Sequence, residues 1–396
     1  MAEETMTART RLVLLVISAP VIAFAVIGGF LGNVMARADD TYAHLKVFQD
    51  VVSLIMSNYV EQPNLDSVMR GAMRGLAENL DSDSAFLTAP MVRQVEGGDR
   101  LGPADVGLDL THQYYLRVVS ARDDSPAAKA GIRPGDFVRL VESRPTRDMS
   151  AFEGQRLMHG PAGSKVKLTV IRGSAVEPHV VELTRDVPAG PAALDVKGRM
   201  QADGVGYVRI SAFGKRAAEL VRTQAAALAK AGATKLIIDV RNAAAGDLTE
   251  GVAVARLFVS TGTLAIRESK ATGQEKMLAA KTDGTIVLPV TVLVDSGTSG
   301  PAEIFAAALA GNKRAELIGE HTIGRAGTQE LIKLPDGSGL WITTSRFLTP
   351  DGKPIQGKRL EADVVVDQPE GEFGAPQPAD PILQKALERL STKKAA

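Results

Sequence analysis

The sequence predicts an α/β (α+β) protein with a helical amino-terminal region and an inserted β-rich module. Continuous apolar runs at residues 235–240 and 291–294 are typical of strands covered on both faces. They alternate with helical patterns at 215–231 and 302–309, as in α/β folds. Between residues 98 and 187, short strands separated by glycine and proline turns indicate a compact β-rich segment.

Composition limits the function classes. The 396 residues suffice for two or three domains, and 46 Lys and Arg balance 46 Asp and Glu. A zero net charge gives no argument for a nucleic-acid partner. The chain has no cysteine, which excludes disulfides and thiolate metal sites, and no His, Asp and Glu set has metal-ligand spacing. We therefore expect neither a metal nor another cofactor.

The amino terminus predicts a membrane anchor. Arg9 and Arg11 precede an uncharged apolar run, residues 12–35, which is long enough to span a bilayer. Residues 1–38 are thus interpreted as a cytoplasmic stub and transmembrane segment. The remainder would lie on the periplasmic side of an inner membrane of bacterial type. Residues 36–38 read Ala-Arg-Ala, so a cleaved signal peptide stays open as the alternative.

Residues 40–97 are predicted to form a small helical domain. Apolar residues recur at helical spacing between 41 and 59, and Asp66 is a suitable cap for a second helix. Residues 80–87 close this region. Their aspartates, Asp81 and Asp83, are interpreted as cap and turn residues, together with Asp109 and Asp136 further on.

The run Ser-Pro-Ala-Ala-Lys-Ala-Gly-Ile-Arg-Pro-Gly-Asp at 125–136 characterises the β-rich segment, residues 98–187. It resembles a PDZ domain of the circularly permuted type found in bacterial proteases. The glycine turn before Leu108 would expose backbone N–H groups to a terminal carboxylate, and the strand from Leu108 would offer an edge to an extended peptide. The predicted peptide-binding residues are Val106, Gly107, Leu108, Asp109, Leu110, Phe152 and Leu157. The simpler interpretation of Leu108, Leu110 and Leu157 is that they belong to the core.

Two segments of the third region, residues 188–396, carry a second resemblance. Residues 295–305 and 319–329 resemble the two active-site halves of the carboxyl-terminal processing (tail-specific) peptidases. That family reads Gly-Ser-Ala-Ser-Ala-Ser-Glu-Ile and Gly-Glu-x-Thr-Phe-Gly-Lys-Gly-x-Val-Gln. Anchoring on Glu303 and Gln329 places Gly300 at the nucleophile and Arg325 at the general base. The resemblance implies a peptidase core of the ClpP/crotonase-like type with a carboxyl-terminal helix.

The positions that this resemblance makes catalytic carry unsuitable residues. Gly300 has no side-chain oxygen, and the guanidinium of Arg325 keeps its proton. Pro301 has no N–H to donate to an oxyanion, and Ala245 stands where the family has a turn glycine. Only Gln329, which orients the base in the family, is retained. We therefore expect no intact catalytic set.

The resulting hypothesis is an inactive pseudopeptidase that binds protein tails through its PDZ domain, as a homo-oligomer or with an active relative. An active serine-type endopeptidase with a non-standard dyad is the first alternative. It would use Ser296, Thr298 or Ser299 beside the vacant position, with His321 as a candidate base. A structural, oligomer-forming envelope protein is the second alternative.

Overall fold

A computed structural model describes residues 42–97, 102–173, 177–186, 196–368, 371, 373 and 380–392. The predicted anchor at residues 12–35 lies outside these ranges. Among the described residues, no helix combines the length and apolar character needed to cross a membrane. The chain divides into two compact units, Met1–Ala72 and Met73–Ala396. The first contains helix α1, residues 42–58, and the start of α2, Leu65–Glu78.

A six-stranded sheet forms the centre of the second unit, in the order β19-β16-β15-β11-β9-β8. Its neighbours are parallel except β8, which runs antiparallel to β9. The apolar runs predicted as doubly covered strands become β11 and β15. The strands are β8 (Val196–Met200), β9 (Val205–Ile210), β11 (Lys235–Asp239), β15 (Val290–Val294), β16 (Ala315–Gly319) and β19 (Val364–Val365).

Helices cover both faces of this sheet. Ile238 and Val292 pack with three helices on one face, whereas Ile237 and Leu293 pack with α9 on the other. Successive strand residues point to opposite faces, which explains why these strands are apolar throughout. The helices are α6 (Ala217–Lys230), α7 (Leu248–Ala255), α8 (Pro301–Gly311) and α9 (Pro381–Thr392). A two-stranded parallel pair, β10 (Ala212–Phe213) and β12 (Ala245–Gly246), lies beside them.

A second sheet of five strands adjoins this core. Its order is β1-β18-β13-β14, and β17 also pairs with β18. Pairing of β1 with β18 joins residues 85–87 to this sheet. The strands are β1 (Ala85–Leu87), β13 (Thr263–Ser269), β14 (Gly273–Leu278), β17 (Gly327–Lys333) and β18 (Gly339–Leu348), with α3 (Ala89–Glu96) after β1.

The β-rich segment folds as a separate sheet, β2-β3-β4-β6-β7, with β5 paired to β4. The sequence predicts a short helix at about residues 150–159, and Ser150 caps helix α5 (Ala151–Met158) with a capping box to Glu153. The elements are β2 (Leu108–Gln113), β3 (Tyr115–Ala121), α4 (Pro126–Lys129), β4 (Phe137–Val141), β5 (Arg144–Pro145), α5 (Ala151–Met158), β6 (Lys165–Ile171) and β7 (His179–Thr184).

The predicted fold class is confirmed: a mixed α/β core carries a β-rich module and amino-terminal helices. Two differences concern single elements. Residues 248–259 of the sequence predict one continuous helix, but α7 ends at Ala255, because Leu257 and Phe258 lie in a turn or loop with their side chains in the core. The hairpin of β13 and β14 was not predicted.

Candidate active site

The turn between β15 and α8 holds the position that the sequence assigned to a nucleophile. Gly300 precedes the first helical residue, Pro301, and has φ 58° and ψ −118°. This is the left-handed half of the backbone map, where a residue with a side chain is strained. A Cβ added at Gly300 would meet its nearest atom, Leu248 Cδ2, at 3.4 Å. The sharp strand-to-helix turn has the form of a nucleophile loop, in which a residue with a side chain would be strained, and space for a side chain is present.

Two hydrogen-bond acceptors lie close to the position of a side chain at Gly300. The carbonyl oxygens of Ala244 and Arg325 each lie 3.6 Å from where a Cβ at Gly300 would stand. Pro301 has no N–H, and Ala245 is fixed in the β10–β12 pair opposite Ala212. An oxyanion needs convergent N–H donors about 3 Å away. At the two oxyanion positions predicted from the sequence, Pro301 has no N–H to donate, and Ala245 is not the glycine that the family has in this turn.

Glu303 joins the two active-site halves. Its carboxylate accepts the backbone N–H groups of Gly300 at 3.1 Å, Gly324 at 2.7 Å and Arg325 at 2.8 Å, and also the Thr322 hydroxyl. The side chain is fully buried. Burial raises the pKa of Glu303 to about 7, although these hydrogen bonds act in the opposite direction. The carboxylate thus holds the turn at Gly300 against the loop that carries Arg325.

Arg325 is engaged by a carboxylate from the amino-terminal side of the chain. Its Nε lies 2.8 and 2.9 Å from the two oxygens of Asp83, which is buried. Burial opposes the charge of Arg325, but Asp83 outweighs this effect and the pKa of Arg325 is raised above its ordinary value. A guanidinium held in this way cannot accept a proton from a nucleophile. The interpretation of Asp83 as a turn residue was therefore incomplete.

Gln329 has a different partner from the one that the resemblance implies. It lies on β17, and its Nε2 donates to Thr343 Oγ1 of β18 at 3.1 Å. Asp83, which the sequence analysis interpreted only as a cap or turn residue, is the residue that orients the side chain at position 325. A separation of 242 residues hides this pair from any local pattern.

The hydroxyl groups beside Gly300 are poorly placed as substitute nucleophiles. Ser299 is 1% exposed, and Thr298 is fully buried with its hydroxyl bound to Val240 O at 3.1 Å. Ser296 is more accessible and lines a cleft together with His321. His321 Nε2 lies 2.8 Å from Arg359 Nη1. The structure therefore shows no hydrogen bond between a hydroxyl of this turn and His321 in the described part of the chain.

A cleft of about 1060 Å³ opens beside Arg325. Its lining includes Thr343 and Thr344 of β18, an inner strand of the second sheet. Arg117 of the PDZ module and Arg359 of the core also reach this cleft. The space is large enough to hold several residues of an extended peptide.

Most of the predicted peptide-binding residues meet at β2 and α5. Val106, Leu108 and Leu110 are buried in the core of the β-rich module, and Leu157 packs against the same cluster. Gly107 has φ +79°, as the predicted glycine turn requires. Three contacts differ from the prediction of a free carboxylate-binding turn and of a peptide-binding role for Asp109 and Phe152. The Gly107 N–H is already taken by Asp105 at 2.8 Å, Asp109 accepts a hydrogen bond from Ser120, and the ring of Phe152 lies 5.4 Å from that of Trp341 on β18.

Two other aspartates that the sequence analysis interpreted as cap or turn residues, Asp81 and Asp136, have different partners. Asp81 does accept the N–H groups of Asp83 and Ser84, as in a turn. Asp136 accepts from Arg133 N–H at 2.9 Å and also pairs with Arg172 at 2.7 Å. The ion pair was missed because Arg172 follows a later strand, β6. No group of three or more possible metal ligands occurs among the described residues.

Comparisons with known proteins agree with this architecture. Residues 204–366 match Peptidase family S41, and residues 117–172 match a PDZ domain. A carboxy-terminal-processing protease of Bartonella bacilliformis is 29% identical over 88% of this chain and 83% of its own length. The corresponding protein of Synechocystis is 32% identical over 70% of this chain and 65% of its own length.

A solved structure gives the same result in three dimensions. The photosystem II D1 C-terminal processing protease superposes with a TM-score of 0.66 and 26% identity, covering 79% of this chain and 85% of that one. These relatives are named as proteases, and their names favour an active peptidase over an inactive one. The chain thus contains a Peptidase family S41 region and a PDZ domain, and it is similar in sequence and fold to carboxyl-terminal processing proteases.

Proposed function

We propose that this protein binds the carboxyl-terminal tails of other proteins through its PDZ domain and does not cleave them. The observation that carries the proposal is Gly300 at the sharp turn before α8, where the family resemblance requires a nucleophile. Peptide hydrolysis by a Ser/Lys mechanism needs an oxygen nucleophile and a base that releases its proton. Neither Gly300 nor Arg325 supplies these groups.

The architecture around the turn supports binding without hydrolysis. Glu303 and Asp83 hold Gly300 and Arg325 in fixed positions, so the family's scaffold persists. The cleft beside Arg325 has room for a peptide, and the PDZ module adjoins it through Arg117. A scaffold of this kind can hold a tail in an extended conformation.

An active serine-type endopeptidase is the second candidate. The observation in its favour is that the relatives are named carboxy-terminal processing proteases. It requires a nucleophile other than position 300. Ser296 is the more accessible hydroxyl of the turn, whereas Thr298 and Ser299 are buried.

The location and assembly of the protein form part of the proposal. Residues 12–35 would anchor it with its folded part on the periplasmic side of an inner membrane. The protein would act as a homo-oligomer or in a complex with an active relative. In that complex, this protein would hold the tail of a substrate that the relative cleaves. A structural envelope protein without peptide binding would differ by failing to retain any tail.

The test pairs cleavage with binding. Purified protein is incubated with denatured model proteins carrying apolar carboxyl termini, and products are identified by mass spectrometry. A retained but uncut tail supports the proposal. Tail-dependent cleavage that disappears in Ser296→Ala or Ser299→Ala supports the second candidate and overturns the first. Failure to retain any tail leaves the structural role.

A further inference from the structure

The outer edge of β2, where a peptide would add, already has hydrogen-bond partners. Leu110 N–H donates to Oε1 of Gln155 at 3.1 Å, and Gln155 Nε2 donates to Leu108 O at 2.8 Å. Both groups belong to the edge opposite β3 in the described structure. A primary amide carries one acceptor and two donors, like a peptide group with an extra hydrogen. Gln155 therefore makes the two bonds that an added strand would make.

The carboxylate end of the groove is occupied in the same manner. Asp105 Oδ1 accepts the Gly107 N–H at 2.8 Å, in the glycine turn where a terminal carboxylate is expected. The same oxygen accepts from Arg122 Nη2 at 2.8 Å. A carboxylate on this N–H resembles the end of a bound tail. The arrangement shows that the turn at Gly107 accommodates a carboxylate.

The far end of β2 is closed by the segment before β1. His112 N–H donates to Ser82 O at 3.3 Å, and Thr111 Oγ1 lies 3.2 Å from Asp83 Oδ1. The edge that a ligand can use thus extends only from Gly107 to Leu110. A short tail end fits this length, whereas a long added strand does not.

We infer that the PDZ groove is self-occupied and that Gln155 is the residue a tail must displace. This inference rests on the proposed function and names its ligand class: a free carboxyl terminus whose last peptide groups replace Gln155 and whose carboxylate replaces Asp105. Gln155 lies on α5 and can swing away by side-chain rotation, since α5 keeps its capping box at Ser150 and Glu153. Gln155 thereby lowers the affinity of the groove for a peptide, because its two hydrogen bonds must break before the peptide can bind.

The variant Gln155→Ala tests the inference, because alanine keeps the helix and removes both competing hydrogen bonds. Gln113→Ala is the matched control, since Gln113 is an exposed glutamine at the end of the same strand. The probes are fluorescent hexapeptides ending in Ala, Val, Leu or Phe, each with a free or an amidated carboxyl terminus. Binding to the full chain is followed by fluorescence polarisation.

We expect Gln155→Ala to bind the free-acid peptides about tenfold more tightly than wild type, because two modest hydrogen bonds no longer compete. Gln113→Ala should bind like wild type, and the amidated peptides should bind weakly throughout. Equal affinity of wild type and Gln155→Ala overturns the inference and leaves tail binding intact. Hydrogen exchange at Leu110 is the second readout, and it should be faster in Gln155→Ala than in wild type. If neither wild type nor Gln155→Ala binds any peptide, the proposed function is wrong. If hydrogen exchange at Leu110 is also the same in both proteins, the inference that Gln155 occupies the groove is wrong as well.

Discussion

Glu303 shows how one buried carboxylate can join two separate loops, the turn at Gly300 and the loop that carries Arg325. Three backbone N–H groups and one hydroxyl converge on it from the nucleophile turn and the base loop. Its raised pKa, about 7, means that folding favours the protonated form. With the folded pKa above the ordinary value of 4.5, the stabilisation from this titration is complete below pH 4.5. It is lost as the pH rises through about 7.

Glu303→Ala should therefore destabilise the protein in a pH-dependent way. Removing the side chain orphans several buried donors, each worth about 1–3 kcal/mol. We expect a loss of at least about 3 kcal/mol at pH 5 and a smaller loss at pH 8, measured by urea unfolding. Glu330→Ala, on an exposed position of β17, is the control. A penalty that grows from pH 5 to pH 8 would contradict the assignment.

The vacant position at Gly300 gives a chemical prediction. A serine-directed fluorophosphonate probe should not label this protein, because position 300 has no oxygen and Ser299 is 1% exposed. Labelling is read by intact mass. A mass adduct that is lost in Ser299→Ala would show that the nucleophile has shifted by one residue, and the second candidate function would replace the first.

Local patterns located the positions of the site but not their partners. Gly300 and Arg325 could be placed from the sequence because each lies in a continuous motif anchored by Glu303 or Gln329. Asp83 and Gln155 could not, because their partners Arg325 and β2 are far away in sequence. Side-chain pairing across such distances is decided by packing, which no periodicity encodes.

At the scale of elements, the sequence predicted α8, β11 and β15 closely because their apolar runs reflect burial on both faces. The β13–β14 hairpin escaped prediction because β14, Gly273–Leu278, is mostly exposed and its charged residues resemble a loop. The short β12 also escaped, since its pairing with β10 depends on tertiary contact.

Asp239, at the end of β11, links three elements and gives an acid-stability prediction. It is buried, accepts from Tyr207 Oη at 2.7 Å and pairs with Arg241, which in turn pairs with Asp380 before α9. Burial would raise the pKa of Asp239, but Arg241, Arg209 and Tyr207 lower it to about 2. A depressed pKa contributes stability above pH 3.8 that is lost as the pH falls through about 2.

Asp239→Asn should cost about 1.5–3 kcal/mol at pH 7, because Arg241 and Arg209 each lose one carboxylate partner and keep only Asp380 and Asp123. Its unfolding free energy should also depend less on pH between about 4 and 2 than that of wild type. Asp351→Asn, which removes an exposed pair with Lys353, should change stability by less than about 1 kcal/mol. Equal effects of the two substitutions would disprove the role of the Asp239 network.

The turns around Gly300 predict what a serine at position 300 and a lysine at position 325 would still need for peptide cleavage. Gly300→Ser with Arg325→Lys returns an oxygen and an amine, but Pro301 and Ala245 still provide no suitable oxyanion donors. Loss of one such donor costs about 2.7–4 kcal/mol of transition-state stabilisation. We expect the quadruple variant, with Pro301→Ala and Ala245→Gly added, to cleave a tail substrate much faster than the double variant. Equal rates would refute this account of the oxyanion site.

At the scale of the whole molecule, the PDZ module is held to the peptidase-like core by a few specific contacts. Asn242 Oδ1 accepts the Ala121 N–H at 2.8 Å, and its Nδ2 donates to Ala121 O. Arg209 pairs with Asp123 at 2.9 Å, and Phe152 packs on Trp341. Asn242 follows β11, so the end of the central sheet bonds directly to the end of β3.

Asn242→Gly should loosen this contact without disturbing the turn. Asn242 has φ +51°, which glycine adopts without strain, so the backbone and its N–H bond to Asp295 at 2.8 Å can remain. Only the two hydrogen bonds to Ala121 are lost. We expect faster amide exchange at Ala121 and increased proteolysis between module and core, with the global unfolding free energy reduced by no more than about 3 kcal/mol. Asn242→Ala is the comparison, because it loses the same bonds and adds strain at positive φ. If Asn242→Gly exchanges at Ala121 as slowly as wild type, the module is held by Arg209 and Phe152 instead, and Asn242 serves only the turn.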